Sequence, residues 1–422
     1  MTVTNDMVIT LLMAGGAGER LKALTRERTK PAVPFGGKFR LIDFTLSNCI
    51  NSGLRRIFIL TQYKSTSLIR HIQEGWDISS SGLGDFIYCV PAQQKLGPDW
   101  YRGTADAVRQ NLDLVNSAGV ENVLILSGDH VCKMNYLQMV AYHNMKRADL
   151  TIAAIKVRRD EAAGRLGVLE ADPALRMVGF EEKPMQPKEI LDYPGYVLAS
   201  MGIYVFKLGA LIEALRGREE DFGKDIIPGI AGRDFDVFIY DYEKENKIQD
   251  FTVEVQGGKR SKILVDQTRD SSYWRDVGTI DLYFEASMDL VSVDPIFNLY
   301  GEKWPFRTLQ RQLPPSKCII GGSTQESIVS DGCIISGGLV RRSILSPNII
   351  VERDALVEES VIFDDVVIEP NVRLRRTIVD KGALIESGAS VGYDSDADTR
   401  RGCTISETGI VVVPKAAVIK PI

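Results

Sequence analysis

Histidine is scarce in this sequence, and the few cysteines do not cluster. The histidines are His71, His130 and His143. The cysteines form no CxxC pair and have no metal-site spacing to a histidine, so a zinc site is not indicated and free thiols in a reducing compartment are expected. The six cysteines are Cys49, Cys89, Cys132, Cys318, Cys333 and Cys403.

Long apolar runs are also missing. The run at residues 7–14 is far too short to span a bilayer, and the residues before it carry no positive charge of the signal-peptide kind. We therefore expect a cytoplasmic protein without a membrane partner.

Positive charge is not in excess either. The net charge is −5 and the pI is about 5.5, which argues against a nucleic-acid or anionic-membrane partner. A hydrophobic share of 44% and a charged share of 25% are ordinary for a globular chain, and 422 residues favour two domains over one. Small phosphates would need a local basic pocket.

The first two thirds of the chain alternate between short apolar runs and stretches with helical spacing. The runs at residues 7–13, 56–61 and 122–127 are typical of buried parallel strands. Residues 66–74 and 105–115 have helical spacing, and Thr104 is placed to cap the second helix. This pattern predicts a Rossmann-like α/β domain whose mostly parallel sheet has helices on both faces.

After about residue 294 the pattern changes. Beyond Thr308 the only aromatic residues are Phe363 and Tyr393. Aliphatic residues recur there every six positions, with two four-residue steps after Val340 and Leu374, which favours a parallel β-helix of hexapeptide repeats over a β-sandwich with chance spacing. The predicted inward residues are Ile328, Ile334, Val340, Ile344, Ile350, Leu356, Ile362, Ile368, Leu374, Ile378 and Leu384. We predict an α/β domain at 1–293, a linker at 294–316 and a left-handed β-helix at 317–422.

A glycine-rich loop follows the first predicted strand. Gly15, Gly16 and Gly18 let backbone N–H groups approach a phosphate chain, and Arg20 and Lys30 add positive charge. The loop lacks the third glycine of a dinucleotide fingerprint and the Gly-Lys-Ser/Thr of a Walker A loop. The alternative is a tight turn with no ligand, but the two cations favour a phosphate site.

Two aspartates are candidate metal ligands. Asp129 comes just after the strand at 122–127, at the sheet edge where α/β folds bind ligands, and Asp276 lies far along the chain. Converging carboxylates suit Mg²⁺, which prefers oxygen ligands. Asp129 could instead cap a helix, and the neighbouring His130 is at least as well explained by a structural role.

Motifs along nearly the whole chain resemble one enzyme family, the bacterial ADP-glucose pyrophosphorylases, or glucose-1-phosphate adenylyltransferases. The motifs are GGAGERL (15–21), TKPAVPFGGKFRLIDF (29–44), WYRGTADAV (100–108), GDHVCKMNY (128–136), FEEKP (180–184), SMGIYVF (200–206), DFGKDIIP (221–228) and YWRDVGT (273–279). The resemblance implies that ATP and glucose 1-phosphate react to give ADP-glucose and pyrophosphate, the activated-sugar step of glycogen or related α-glucan synthesis.

The resemblance also implies a role for individual residues. Asp129 and Asp276 would bind Mg²⁺, and Arg20, Lys30 and Asp129 would be catalytic. The nucleotide-side residues would be Gly15, Gly16, Gly18, Arg20, Gln62, Gln94, Tyr101, Gly103 and Thr104. The glucose-1-phosphate residues would be Tyr101, Gly167, Glu182, Lys183, Ser200, Tyr204, Asp221, Phe222 and Trp274. Tyr204 is equally well explained as a core residue of a buried strand, and the residues alone do not select adenine over uracil.

The resemblance also implies an allosteric, tetrameric enzyme tuned by sugar phosphates or other anionic metabolites, and we expect a homotetramer. Here Glu27 stands where some relatives have a cation, and Arg400-Arg401 is followed by a stretch poor in positive charge. We therefore expect a weak or altered effector response.

Three alternatives remain: a transferase using UTP or dTTP, a non-catalytic regulatory subunit, and a bifunctional protein with an acyltransferase β-helix. The presence of Arg20, Asp129, Lys183 and Asp276 argues against the second alternative. The third would need a histidine base, and no histidine lies in the β-helix.

Overall fold

The computed structural model describes residues 7–16, 18–77, 84–95, 99–231, 234–256 and 258–422. The first two thirds form an α/β body around a nine-stranded sheet. The strands of this body are β1 (Val8–Met13), β2 (Pro34–Phe35), β3 (Phe39–Arg40), β4 (Arg56–Thr61), β5 (Phe86–Pro91), β6 (Asn122–Ser127), β7 (His130–Cys132), β8 (Leu150–Arg158), β9 (Val168–Ala171), β10 (Met177–Glu181), β11 (Tyr196–Lys207), β12 (Val237–Asp241), β13 (Asp250–Gln256), β14 (Lys259–Val265) and β15 (Trp274–Asp276).

The sheet combines a parallel half and a mixed half. Strands β5, β4, β1 and β6 lie side by side and parallel, which confirms the parallel sheet predicted from their apolar runs. Beyond β6 the sheet becomes mixed, because β11 pairs antiparallel with β6, β8 and β9. Three strand pairs stand apart from the main sheet: β2 with β3, β7 with β15, and β13 with β14.

Both faces of the central sheet are buried. On β1, Val8 and Leu12 belong to the apolar core on one face, whereas Ile9 and Leu11 belong to the core on the other. Successive side chains of a strand point to opposite faces, so a nearly continuous apolar run is the pattern expected of a strand covered on both sides.

Most helices cover these two faces. The α-helices are α1 (Leu41–Asn51), α2 (Thr66–Gly75), α3 (Thr104–Arg109), α4 (Leu112–Ser117), α5 (Tyr136–Lys146), α6 (Arg159–Ala162), α7 (Leu208–Ala214), α8 (Ile227–Ile230), α9 (Tyr242–Glu245), α10 (Ile280–Leu290) and α11 (Ser395–Arg400). Short 3₁₀ or π turns occur at Glu19–Thr25, Lys30–Ala32, Phe222–Ile226 and Arg269–Ser272.

The predicted helix at 105–115 is two helices, α3 and α4, and the predicted cap is wrong. Gly103 is the N-cap of α3, and Thr104 is its first helical residue. The Thr104 hydroxyl donates to Asp221 Oδ2 at 3.1 Å and accepts from the Phe222 backbone N–H at 3.0 Å. This tertiary contact takes the hydroxyl away from the cap.

From Lys317 onward the chain forms stacked coils of short strands. The strands are β16 (Lys317–Ile319), β17 (Ser323–Gln325), β18 (Ile328–Val329), β19 (Ile334–Ser336), β20 (Leu339–Arg341), β21 (Ile344–Leu345), β22 (Ile350–Val351), β23 (Leu356–Glu358), β24 (Val361–Ile362), β25 (Val367–Ile368), β26 (Arg373–Arg375), β27 (Thr377–Val379), β28 (Leu384–Ile385), β29 (Ser390–Val391), β30 (Thr404–Ile405), β31 (Val411–Val413) and β32 (Val418–Ile419). They pair into three parallel sheets, with only β30 antiparallel to its neighbour. This confirms the predicted parallel β-helix.

Part of the predicted inward series is displaced by one residue. Ile350 and Leu356 are only partly buried, whereas Val351 and Val357 are fully buried inside the coils. Because both residues of each pair are aliphatic, spacing alone could not tell which one faces inward. Val340, Ile362, Ile368 and Leu374 do lie in the coil core, as predicted.

The β-helix packs its β18-β21-β24-β27 face against the α/β body. Ile344, predicted to face inward, instead belongs to an apolar cluster shared with Leu21 and Phe35 of the body. Phe363 joins the same cluster, with its ring 6.3 Å from that of Tyr283. An aromatic residue is therefore accommodated outside the narrow coil.

The segment between α10 and β16 contains no helix or strand, and all its residues are described. Thr308 in this segment donates to the buried carboxylate of Asp43 at 2.7 Å. No described helix has the length and apolarity needed to cross a membrane.

Candidate active site

A cleft opens at the carboxyl ends of the parallel strands. The glycine loop follows β1, Gln62 follows β4, and Asp129 follows β6, so these residues meet at one sheet edge. Parallel sheets generally bind ligands at this edge. The cleft has two adjoining cavities that share Arg20, Lys30, Asp129 and other lining residues.

The glycine loop is held by local backbone geometry. Gly18 has a φ of 64°, in the left-handed region, and a Cβ there would lie 2.9 Å from Thr25 Cγ2. The Thr29 hydroxyl donates to the carbonyl oxygens of Ala14 and Gly16 at 3.1 and 3.3 Å. Thr29 therefore holds the loop against the segment that carries Lys30.

Two acidic residues from distant parts of the sequence meet beside Lys30. Strands β7 and β15 pair antiparallel, with Asp276 directly opposite His130. Lys30 Nζ lies 2.7 Å from Asp129 Oδ2 and 3.2 Å from Asp276 Oδ1. The Lys30 ammonium therefore contacts both carboxylates.

The charges of this cluster reinforce one another. Burial raises the pKa of the Asp129 carboxyl, but the Lys30 ammonium, and then His130, outweigh that effect and hold the pKa well below its usual range. Burial likewise lowers the pKa of Lys30, yet the two carboxylates raise it above its ordinary value. Asp129 is therefore ionised and Lys30 protonated at neutral pH.

The larger cavity, of about 680 Å³, is bordered by the glycine loop. The predicted residues that line it are Gly15, Gly16, Gly18, Arg20, Lys30, Gln62, Tyr101, Gly103, Thr104, Asp129, Lys183 and Asp221. Gln62 Nε2 donates to the Tyr101 carbonyl at 3.2 Å, and Asn111 Nδ2 donates to the Tyr101 hydroxyl at 2.8 Å. Tyr101 is thus held on both its backbone and its ring.

The smaller cavity, of about 250 Å³, is bordered by β11 and by the loop after β10. The register of β11 against β8 shifts between Ser200 and Tyr204, where the regular pairing of the two strands is interrupted. Tyr204 packs on Phe222, with ring centroids 5.7 Å apart, and burial raises its pKa. Gly167 has no room for a side chain, because a Cβ would lie 2.6 Å from the Phe180 ring.

The cavity also holds polar groups that lack a protein partner. Trp274 Nε1 and His130 Nδ1 are buried, and neither makes a hydrogen bond with any residue that the structure describes. The His130 and Trp274 rings meet edge to face at 5.4 Å. Buried polar atoms without partners are rare in proteins, so these two atoms indicate a site for a polar ligand.

Lys183 has an unusual backbone. Its φ of 51° is in the left-handed region, which disfavours a non-glycine residue and is often found at functional sites. Its ammonium lies 3.0 Å from Glu182 Oε1. The loop therefore presents a carboxylate and a cation side by side.

Comparisons with known proteins agree with this architecture. Residues 9–293 match the family model described as nucleotidyl transferase, and residues 314–413 match a GlmU-like C-terminal hexapeptide model.

This chain belongs to the nucleotidyl transferase family.

Curated relatives of this nucleotidyl transferase carry a more specific name. A Rhodopirellula baltica protein is 45% identical, covering 97% of this chain and 90% of its own length. An Alteromonas mediterranea protein is 44% identical, covering 98% and 93%, and one from Teredinibacter turnerae is 43% identical, covering 98% and 95%. All three are named glucose-1-phosphate adenylyltransferase.

Nucleotidyl transferases of this family generally use a divalent metal, and the donor set here suits one. Oxygens of Asp129 and Asp276 and a ring nitrogen of His130 lie within 4.8 Å of one another. Two carboxylates supply the hard oxygen ligands that Mg²⁺ prefers.

The structure brings nearly all the predicted residues of this nucleotidyl transferase into the cleft. The predicted residues that line the smaller cavity are Arg20, Lys30, Thr104, Asp129, Gly167, Glu182, Lys183, Ser200, Tyr204, Asp221, Phe222, Trp274 and Asp276. Gln94 is the exception: it is exposed three residues after β5 and lines neither cavity. Sequence reasoning missed Arg165 and Ser127, both of which line the smaller cavity. The position of Ser127 at the carboxyl end of β6 could have indicated that it lines the cleft, whereas no motif includes Arg165.

Proposed function

We propose that this protein transfers the adenylyl group of ATP to α-D-glucose 1-phosphate, giving ADP-glucose and pyrophosphate, with Mg²⁺ as cofactor. The observation that supports this most is the position of the Asp129–Lys30–Asp276 cluster. All three residues line the smaller cavity, and Asp129 and Lys30 also line the larger one. A cluster at that boundary lies where two bound phosphates would meet.

The reaction we propose is a direct in-line displacement. A phosphate oxygen of glucose 1-phosphate attacks the α-phosphorus of ATP, the new P–O bond forms, and the bond to the β-phosphate oxygen breaks to release pyrophosphate. The attacking oxygen is already ionised, so no general base is required. Positioning and charge neutralisation account for most of the acceleration.

The chain's own residues divide this work between them. The Asp129 and Asp276 carboxylates would hold Mg²⁺, which when bound neutralises phosphate charge as a Lewis acid. Lys30 and Arg20 stabilise negative charge on the departing pyrophosphate beside the glycine loop. In the smaller cavity, Glu182 and Asp221 accept hydrogen bonds from sugar hydroxyls.

The proposal that ATP is the nucleotide substrate rests on the name of the curated relatives. Their name specifies adenylyl transfer, whereas the cavity beside Gln62 shows amide and backbone groups that other bases could also use. UTP- or dTTP-dependent transfer is therefore the alternative. The product ADP-glucose would be the sugar donor for glycogen or a related α-glucan.

One assay tests this proposal. Purified protein is incubated with Mg²⁺, glucose 1-phosphate and each nucleoside triphosphate in turn, and pyrophosphate release is measured. Release that is fastest with ATP is expected. Faster release with UTP or dTTP would establish the alternative enzyme, and no release with any nucleotide would indicate a non-catalytic subunit.

For the β-helix we propose subunit contact in a homotetramer, and for the protein a cytoplasmic location. A stacked β-surface can pair across symmetric interfaces. Light scattering after size-exclusion chromatography tests this assembly, and a monomeric mass would contradict it.

We also propose a weak or altered response to anionic effectors. Glu27 lies 2.6 Å from Lys415, so a carboxylate already neutralises this cation on the β-helix. Titration of fructose bisphosphate, fructose 6-phosphate and pyruvate in the steady-state assay tests this expectation. Strong activation by fructose bisphosphate would contradict it.

A further inference from the structure

Arg165 is one of the cations of the cleft whose charge is not paired with a carboxylate among the described residues. The residue lines the smaller cavity together with Glu182, Lys183 and Ser200. Its side chain has no salt bridge, hydrogen bond or ring contact with any residue that the structure describes. Lys30, by contrast, is held by two carboxylates, and Lys183 lies against Glu182.

The backbone around Arg165 is fixed on both sides. The Gly164 N–H donates to the Pro184 carbonyl at 2.9 Å, which ties the segment to the loop that carries Glu182 and Lys183. On the other side, the Ser200 N–H donates to the Gly167 carbonyl at 2.8 Å. Arg165 therefore lies on a short strip between the Lys183 loop and β11.

The charges in this cavity leave a role for a second cation. A hexose 1-phosphate carries a phosphate monoester with close to two negative charges at neutral pH. Lys183 provides one positive charge, and Glu182, 3.0 Å away, competes for it. The carboxylates of Glu182 and Asp221 suit sugar hydroxyls but repel a phosphate. Among the described residues, no carboxylate forms an ion pair with Arg165 in this way.

We propose that Arg165 is a second phosphate-binding residue, which binds the phosphate of the hexose 1-phosphate substrate together with Lys183. This inference rests on the proposed function, because it assigns a role to Arg165 within the same site. A guanidinium presents paired N–H donors that match two phosphate oxygens, whereas an ammonium acts as a point charge. Arg165 would thus orient the phosphate as well as neutralise it.

The test compares three variants of the full-length protein in the pyrophosphate-release assay. In Arg165→Gln, the KM for glucose 1-phosphate is expected to rise about 10-fold or more, because a charged hydrogen bond is lost. The KM for ATP is expected to stay within about 2-fold. Arg165→Lys keeps the positive charge but loses the paired N–H donors of the guanidinium. Its KM for glucose 1-phosphate should therefore fall between those of the wild type and Arg165→Gln.

Arg159→Gln is the matched control. Arg159 precedes Arg165 by six residues, and its guanidinium pairs with Glu189 on the surface. This control should leave both KM values unchanged. As a readout independent of turnover, calorimetric titration with glucose 1-phosphate should show weaker binding to Arg165→Gln than to the control.

Each outcome has a separate meaning. Wild-type protein that fails to release pyrophosphate from ATP and glucose 1-phosphate would contradict the proposed function. Active wild-type protein with an unchanged KM for glucose 1-phosphate in Arg165→Gln would overturn the role of Arg165 alone. An equal rise of both KM values would also overturn it, because that result indicates general distortion of the cleft.

Discussion

The guanidinium of Arg28 and the carboxylate of Asp380 form a paired contact across the two parts of the molecule. Arg28 Nη2 lies 2.8 and 3.0 Å from the two Asp380 oxygens, although the residues are 352 positions apart in the sequence. Their side chains are only 7% and 4% exposed. The contact joins the segment after the glycine loop to the β-helix, so β-helix packing is coupled to the segment that carries Lys30.

Removing one partner of this buried pair should be costly. Asp380→Ala leaves the Arg28 charge buried without its partner, which typically destabilises a protein by about 3–5 kcal/mol. The exposed pair of Arg269 with Asp294 provides a control, and Asp294→Ala should cost less than about 1 kcal/mol. Thermal unfolding followed by circular dichroism should show a clear fall in Tm for Asp380→Ala only. Equal Tm values for both variants would contradict the assignment.

The two carboxylates proposed to hold the metal give a second prediction. Asp129→Asn and Asp276→Asn should each lower kcat by at least about 10³-fold, because either change removes a negative ligand from the cation site. Asp266→Asn, at an exposed carboxylate away from the cleft, should retain normal turnover. Near-normal turnover in a folded Asp129→Asn protein would refute the role of that carboxylate.

The buried histidine His143 should make the stability of the protein depend on pH. Burial, and then the charge of Lys207, lowers the pKa of this histidine from 6.5 to about 4 in the folded protein. Between those values the unfolded chain takes up a proton that the folded chain does not, so this residue lowers stability as the pH falls from about 6.5 to about 4. The favourable contribution of neutral His143 to the free energy of unfolding is therefore fully present above about pH 6.5.

Between about pH 6.5 and 4, one such group changes the free energy of unfolding by about 1.4 kcal/mol per pH unit. His143→Gln should weaken the fall in stability between pH 6.5 and 4, although loss of the 2.8 Å contact with Thr151 lowers stability at pH 7. Urea unfolding at a series of pH values measures both effects. An unchanged acid slope in the variant would show that His143 does not titrate in this way.

The β-helix register gives a prediction that opposes the sequence pattern. Val357 is fully buried inside the coils, whereas its neighbour Leu356 is only partly buried. Val357→Phe should therefore overpack the coil and cost about 1–3 kcal/mol or more. Leu356→Phe should change stability by less than about 1 kcal/mol. The reverse order in urea unfolding would favour the register that spacing alone suggested.

The sequence by itself determined the type and order of the main elements. Apolar runs predicted β1, β4 and β6 to within a residue, because a strand covered on both faces is apolar at most positions. The six-residue spacing and the lack of aromatics predicted the coils, because each short strand must place an aliphatic residue in a narrow core. Most of the site residues that the motifs predicted do line the cleft.

Only the tertiary structure decided which distant groups meet. No spacing in the chain places Asp276 beside Lys30, because that contact depends on the pairing of β7 with β15. The Thr104 hydroxyl binds Asp221 rather than capping its own helix, and Phe363 packs outside the coil against the α/β body. Arg165 lies in none of the motifs, and its proposed role rests on its position in the smaller cavity. Local sequence constrains local conformation, whereas contacts across hundreds of residues depend on how the finished elements pack.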